Sequence, residues 1–275
     1  MSDELHGLYF YGIARGATVA EQLAGAPSGL DGRPVFAVVA GALAAIVSLA
    51  PDGRLRPQRR ALGAHQSVLK HIGARGPALP ASFGVIAPSS GGLAAVLRAN
   101  ADTLDEQLTE TAGCVEMGVK LRWDVDNVFA DFVDRYEVLR EARVGIAEGA
   151  ASRDELIEIG QLFERLQGTE RDEALAAVRG TIDTAARRVV ANPPRSENEV
   201  LNIACLVERD REDGFDAAVQ RAAESFDERF AFEISGPWPP FNFVSLRLEF
   251  DHDASGDEAA FEVIGEPHVE VSEAA

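Results

Sequence analysis

Three short segments restrict the fold of this chain more than any other feature of its sequence. They are residues 79–84 (LPASFG), 115–120 (VEMGVK) and 236–244 (GPWPPFNFV), and each joins proline or glycine to an apolar run. Proline fixes its own φ and lacks an amide donor, so the last segment cannot lie in the middle of a sheet. Such segments are typical of a scaffold whose loops have fixed shapes, and none of them resembles a reaction centre.

The spacing of apolar residues predicts an α+β fold. Residues 114–123 alternate between apolar and charged side chains, which indicates a half-buried strand. Residues 200–207 are apolar on both faces apart from Asn202 and predict a central strand. Because the second half reads as strand, long helical stretch, strand, helix, strand, turn and strand, the closest simple topology is a ferredoxin-like sheet with helices on one face.

The remaining patterns give a provisional map of the other elements. Gly41-Ala42 between two apolar runs predicts a hairpin, and Ser152 to Glu155 form a capping box that begins a helix, which Gly168 is expected to end. Other expected elements are a strand at 5–13, a loop at 14–34, helices at 57–74, 88–113, 126–149, 169–191 and 215–226, and strands at 79–86, 230–234 and 241–250.

The charge distribution supports two domains. Of the 45 acidic and 26 basic residues, residues 1–124 hold 11 of each, whereas residues 125–275 hold 34 acidic and 15 basic. We therefore predict an N-terminal α+β domain (1–112), a C-terminal ferredoxin-like domain (113–250) and an acidic tail (251–275). An acidic half argues against binding to nucleic acid or to anionic membrane surfaces, because both need a basic footprint.

Cysteine usage and hydropathy indicate a cytoplasmic protein. Cys114 and Cys205 both lie in apolar, strand-like runs and are expected to be buried thiols. The sequence begins with acidic residues where a secretory signal would be basic. No apolar run approaches the ~20 residues that a membrane-spanning helix needs.

The sequence contains no pattern typical of catalysis, of a metal site or of a cofactor site. His65 and His71 lie six residues apart on one predicted helix and therefore face different directions, and we expect a packing or capping role for His65. Residues 88–92 precede a helix but lack the spacing of a phosphate-binding loop. We predict no catalytic residue, no metal ligand, no cofactor and no small-molecule substrate.

Two features have both a structural and a functional interpretation. Arg54, Arg56, Arg59 and Arg60 form the one basic cluster, which is either a solvated helix start or a dock for an acidic segment of this chain or of a partner. Trp238, held on a stiff proline-rich turn, either caps the domain core or presents an aromatic anchor to a partner. We predict partner binding by these four arginines together with Phe83, Trp238 and Phe241.

Five motifs occur in a fixed order along nearly the whole chain: residues 9–13, His65 with Leu69, Leu79-Pro80 with Phe83-Gly84, residues 115–120 and residues 236–240. In these motifs the chain resembles a known family, the gas vesicle protein F/L family of accessory or minor structural proteins. The chain departs from the family pattern at Ser82, where arginine is common, and at Phe241, where tyrosine is common.

The resemblance implies a non-enzymatic protein of two α+β domains, the second a modified ferredoxin-like unit. It also implies a role in assembly of the gas vesicle, hence in buoyancy, through contacts with the small apolar shell protein and with other accessory proteins. The expected location is the cytoplasm and the gas vesicle. The alternative is a ligand-binding or regulatory pair of α+β domains without catalysis, because ferredoxin-like units host many functions.

The acidic tail has one apolar patch, at Phe261, Val263 and Ile264. From this patch and from charge complementarity we expect the tail to pack back across the domain junction, near the basic cluster.

Overall fold

The computed structural model describes residues 6–147, 152–245 and 262–264. It divides the chain into two compact units, one comprising Met1–Val115 with Trp238–Ala275 and the other Glu116–Pro237. The return to the first unit at Trp238 differs from the expected second domain, which extended to residue 250. Residues 246–261 and 265–275, which include most of the tail, lie outside the described residues. The expected packing of the tail near the domain junction therefore stays a prediction.

Strands and helices of the described residues follow in chain order. The strands are β1 (His6–Arg15), β2 (Phe36–Ala40), β3 (Leu43–Leu49), β4 (Ala78–Pro80), β5 (Ile86–Ser89), β6 (Cys114–Trp123), β7 (Arg188–Asn192), β8 (Glu199–Glu208), β9 (Phe230–Trp238) and β10 (Glu262–Ile264). The helices are α1 (Gly16–Leu23), α2 (Arg59–Gly73), α3 (Ser90–Ala99), α4 (Ala101–Glu110), α5 (Val128–Arg135), α6 (Glu137–Ala147), α7 (Arg153–Ile182) and α8 (Glu212–Ala223).

The first unit is built on one antiparallel sheet with helices on both faces. Its strand order is β10-β2-β3-β1-β4, and β5 also pairs with β1. Leu8 and Phe10 of β1 pack in a core with α3 and α4, whereas Tyr9 and Tyr11 pack in a second core with α1 and α2. The alternation of β1 therefore places one core on each face of the sheet.

A β-bulge in β1 sets the geometry of the second core. The pairing with β3 shifts register between Phe10 and Gly12, so Tyr11 is the extra residue. Next to it, a Cβ on Gly12 would lie only 2.3 Å from the carbonyl oxygen of Leu79 in β4. Glycine at this position thus allows β4 to approach β1 closely.

The second unit has the β-α-β-β-α-β element order of a ferredoxin-like fold. Its four strands have the order β7-β8-β6-β9, and three helices, α5 to α7, occupy the first crossover. The long helix α7 packs against α8 and β8. The α+β class is confirmed, and the additional helices modify the basic ferredoxin-like topology.

Several expected elements differ from the structure. Gly168 does not end a helix, because α7 runs through it, and the expected helix to residue 191 is replaced by strand β7. Val189 and Val190 are β-branched and favour the strand that pairs with β8. The expected loop at 14–34 contains α1 and a 3-10 turn at Leu30–Gly32.

Smaller differences concern element ends. The expected strand at 79–86 is two strands, and the expected helix at 88–113 is interrupted at Asn100 between α3 and α4. β9 continues through Pro237, which is tolerated because β9 is an edge strand. Residues 241–243 form a 3-10 turn where a strand was expected, and the rest of that expected strand, residues 246–250, lies outside the described residues.

Candidate partner-binding surface

A hydrogen-bonded pair, Tyr9 and His65, fixes the loop that carries Phe83. The Nε2 atom of His65 lies 3.1 Å from the carbonyl oxygen of Ala81, so it carries the proton and donates it there. Nδ1 is therefore the acceptor and receives the Tyr9 hydroxyl at 2.9 Å. The same hydroxyl accepts from the amide of Gly84 at 3.3 Å, so the loop is held at both ends.

Both members of this pair are neutral at physiological pH. Burial lowers the pKa of His65, and the hydrogen bond to the Ala81 carbonyl opposes this effect only in part. Burial likewise raises the pKa of Tyr9, and the Gly84 amide opposes it. With both ring nitrogens occupied and less than 2% of the side chain exposed, His65 has the packing role expected of it.

Two of the predicted partner-binding residues pack largely inward. The Phe83 ring lies with its centroid 5.8 Å from that of His65 and 6.1 Å from that of Tyr9. Phe241 packs against the same core layer from the far end of the chain. Both rings are half-buried. They shape the layer beneath α2 more than they present area to a partner.

Trp238 is exposed at one end of α2. Its side chain is 37% exposed, and the Lys70 Nζ atom lies 4.5 Å from the ring centroid. A cation over an indole face at this distance is a stabilising contact that also holds the ring in place. The sequence placed Trp238 on a stiff turn, and the structure brings this turn onto α2.

The four predicted arginines lie at the other end of α2. Arg54 and Arg56 belong to the stretch before the helix, Arg59 and Arg60 to its first turn, and all four are exposed. Within the described part of the chain, no ion pair joins any of them to an acidic side chain. We call these four residues the arginine segment.

One face of α2 connects these two ends. At 100° per residue, Arg59, Leu62 and Lys70 point within about 80° of one another, opposite the buried Val68 and Ile72. Leu62 is 38% exposed on this face. The α2 outer face, defined as Arg59, Leu62, Lys70 and Trp238, thus combines two apolar side chains with two cations.

The second unit contains a partly buried ionic cluster. Arg135 donates to Asp131 at 2.8 Å and to both carboxylate oxygens of Glu170, and its guanidinium lies 4.5 Å from the Phe132 ring centroid. Burial by itself would raise the pKa of Glu170, but hydrogen bonds from Arg135 and Tyr136 hold that pKa below its ordinary value. The cluster joins α5 to α7 and has a structural role.

Helices α6 and α7 carry exposed apolar side chains that the sequence did not single out. Leu156 and Ile157 on the first turn of α7 are about half exposed, at 46% and 50%. The others, on α6, are Val138, Val144 and Ile146.

The described residues contain no group of three or more His, Cys, Asp or Glu side chains that could hold a metal ion. Both cysteines are buried, and burial raises the pKa of Cys205 to about 12. A thiol with this pKa is protonated at neutral pH and is a poor nucleophile. Among the described helices, none has a stretch long and apolar enough to span a bilayer.

Comparison with known proteins gives one consistent family. The family model described as gas vesicle synthesis protein GvpL/GvpF matches residues 7–245. Gas vesicle protein F of Streptomyces sp. (strain CB03234) is 35% identical over 240 residues, which cover 86% of this chain and 98% of that protein. Gas vesicle protein F of Dolichospermum flosaquae is 26% identical over 243 residues, covering 87% and 98%.

Two solved structures share the fold. The crystal structure of GvpF from Anabaena sp. PCC7120 matches with a TM-score of 0.73 and 25% identity, covering 88% of this chain and 99% of that one. The crystal structure of GvpF from Microcystis aeruginosa also matches with a TM-score of 0.73, at 22% identity, covering 87% and 99%. Residues beyond 245 lie outside the family match.

Proposed function

The chain belongs to the gas vesicle synthesis protein GvpL/GvpF family, and from this premise we propose that it is a non-enzymatic assembly protein of the gas vesicle. It binds the small apolar shell protein and other accessory proteins while the vesicle forms. It acts in the cytoplasm and at the vesicle. The observation that carries this proposal is the family match over residues 7–245.

The physical character of the chain suits this task. A shell subunit with an apolar face for a gas-filled interior is prone to aggregate before assembly. A binding protein can shield that face, and a formal net charge of −19 keeps the complex dispersed. The comparisons give the family, whereas the partner contacts are part of this proposal.

We assign the contact to the α2 outer face. Leu62 and Trp238 supply exposed apolar area, and Trp238 is held by Lys70, so little ordering entropy is lost when a partner covers it. An aromatic anchor of this kind often dominates a protein interface. The Tyr9–His65 pair supports this face from below by fixing the loop of Phe83.

A pull-down with the full chain tests the proposal. The tagged chain, co-expressed with the shell protein of the same gene cluster, is expected to retain it, and Leu62→Ser with Trp238→Ala is expected to reduce retention at least tenfold. Ile157→Ser on α7 is the matched control, because it removes a similarly exposed apolar side chain.

Three outcomes are informative. Loss of retention in the α2 variant alone supports the assignment. Loss in the α7 control alone moves the contact to the other unit and refutes the assignment to α2. No retention by the unaltered chain, alone or with co-expressed accessory proteins, contradicts the proposed binding function.

A further inference from the structure

The short strand β10 ends on the side of the sheet where the stretch leading to the arginine segment begins. β10 pairs antiparallel with β2, with Ile264 opposite Ala37, and β2 pairs antiparallel with β3, with Ala37 opposite Ile46. β10 and β3 therefore run in the same direction. Ile264 and Leu49 are the last residues of these two strands, so both strands end toward the same end of the sheet.

The lateral separation at that end is small. Two neighbouring strand spacings separate β10 from β3, which amounts to about 10 Å. The stretch after β3 stays near this end, because Asp52 pairs with Arg33, just before β2, at 2.9 Å. Extended chain spans about 3.3 Å per residue, so residues 266–273 easily reach the arginine segment.

The charges of the two stretches are complementary. Residues 265–275 contain Glu266, Glu270 and Glu273 and no lysine or arginine. The arginine segment is exposed and has no ion pair with an acidic side chain among the described residues. In addition, the Gln58 side chain does not cap the start of α2. The amides of this first turn, at the positive end of the helix dipole, therefore add to the positive potential of the arginine segment.

From this geometry we propose that residues 266–273 of this chain bind the arginine segment in the free protein. The glutamates pair with the guanidinium groups and lie against the first turn of α2. The segment then covers the cationic end of the α2 outer face, and an acidic partner must displace it. The inference concerns the free chain and does not depend on the proposed function.

A spin label tests this contact in the full chain. Ala275→Cys introduces the labelling site, and the two native cysteines are buried and do not compete. In a uniformly ¹⁵N-labelled sample, the label is expected to broaden the amide signals of residues 54–62, and chemical reduction of the label is expected to restore them. Replacing all three glutamates (Glu266→Gln, Glu270→Gln and Glu273→Gln) keeps the length and is expected to remove the broadening.

Salt and mixing experiments separate the possible occupants. The broadening is expected to fade between 0.1 M and 1 M salt, as the screening length falls from about 10 Å to about 3 Å. In a second sample, spin-labelled protein without ¹⁵N enrichment is mixed with ¹⁵N-enriched protein that carries no spin label. No broadening is expected in this mixture. Broadening in that mixture identifies a second copy as the occupant and overturns the inference, as does an absence of broadening at residues 54–62 in the sample whose chains carry both labels.

Discussion

Replacing Tyr9 with Phe tests whether the Tyr9–His65 pair supports the first unit. The change removes two hydrogen bonds of the hydroxyl, to His65 and from Gly84. The Gly84 amide is at the surface and can bind water, whereas Nδ1 of His65 is left buried without a donor. A buried unsatisfied acceptor costs about 1–3 kcal/mol, so we expect the variant to lose about 2 kcal/mol of stability.

Hydrogen exchange followed by mass spectrometry measures this loss within the first unit. A loss of 2 kcal/mol corresponds to about 30-fold faster exchange of β1 and β3 amides that open by unfolding of the unit. Peptides of β6 and β8 serve as the internal control. In the double variant with His65→Leu, the cost should be at least about 1 kcal/mol below the sum of the single variants, because both break the same contact. Strict additivity would refute the pairing.

Four further variants probe other parts of the structure by urea unfolding. Gly12→Ala is expected to destabilise the first unit, since its Cβ would lie 2.3 Å from a backbone oxygen of β4. Gly63→Ala on α2, whose Cβ would have no atom within 4 Å, should instead stabilise the unit by about 1 kcal/mol. A change of stability with the same sign in both variants would contradict the close approach of β4 to Gly12. Burial holds the pKa of His65 low in the folded state, so the stability due to this residue is present above pH 6.5 and falls at lower pH by at most about 1.4 kcal/mol per pH unit. The His65→Gln variant should therefore lose less stability than the unaltered chain between pH 7.5 and 5.5. Identical profiles of stability against pH for the two proteins would refute this. Arg135→Gln should cost about 2 kcal/mol. Because Arg135 is one of the groups that lower the pKa of Glu170 from its ordinary value of 4.5, the unaltered chain should lose more stability than the variant as the pH falls below 4.5, and an equal loss would contradict this.

The sequence predicted best those elements whose pattern of apolar side chains fits only one kind of secondary structure. Strand β6 was predicted with its observed ends, because strict alternation over ten residues fits no helix. The buried strand β8 and the hairpin of β2 and β3 are likewise confirmed. The family resemblance is confirmed by the match over residues 7–245.

Other elements could not be predicted because their patterns fit two structures. Val189 and Ile182 suit the inward face of a helix by spacing, yet only Ile182 lies in α7, since pairing with β8 decides the structure of β7. Helix α1 was missed because glycine and proline recur across residues 14–34 and favour a loop, whereas the burial of Val19 and Gln22 stabilises the helix.

The candidate surface was only partly predictable for a similar reason. The arginine segment is visible in the sequence as a local cluster, and a helix at 57–74 was expected to hold Arg59, Arg60 and Lys70, but the contact of Lys70 with Trp238 is a tertiary one. Tyr9 and His65 are separated by 56 residues, so no local pattern indicates their hydrogen bond. Whether an aromatic ring such as Phe83 faces a partner or the core depends on the layer beneath it.

Complementation of a gene deletion, scored by electron microscopy, tests the central claim most directly. In the organism that encodes this chain, deletion of the gene is expected to abolish gas vesicles, and the unaltered gene is expected to restore them. The gene for Leu62→Ser with Trp238→Ala, expressed at the same level, is expected to restore few or none. Normal vesicles in the deletion strain would contradict the assembly function.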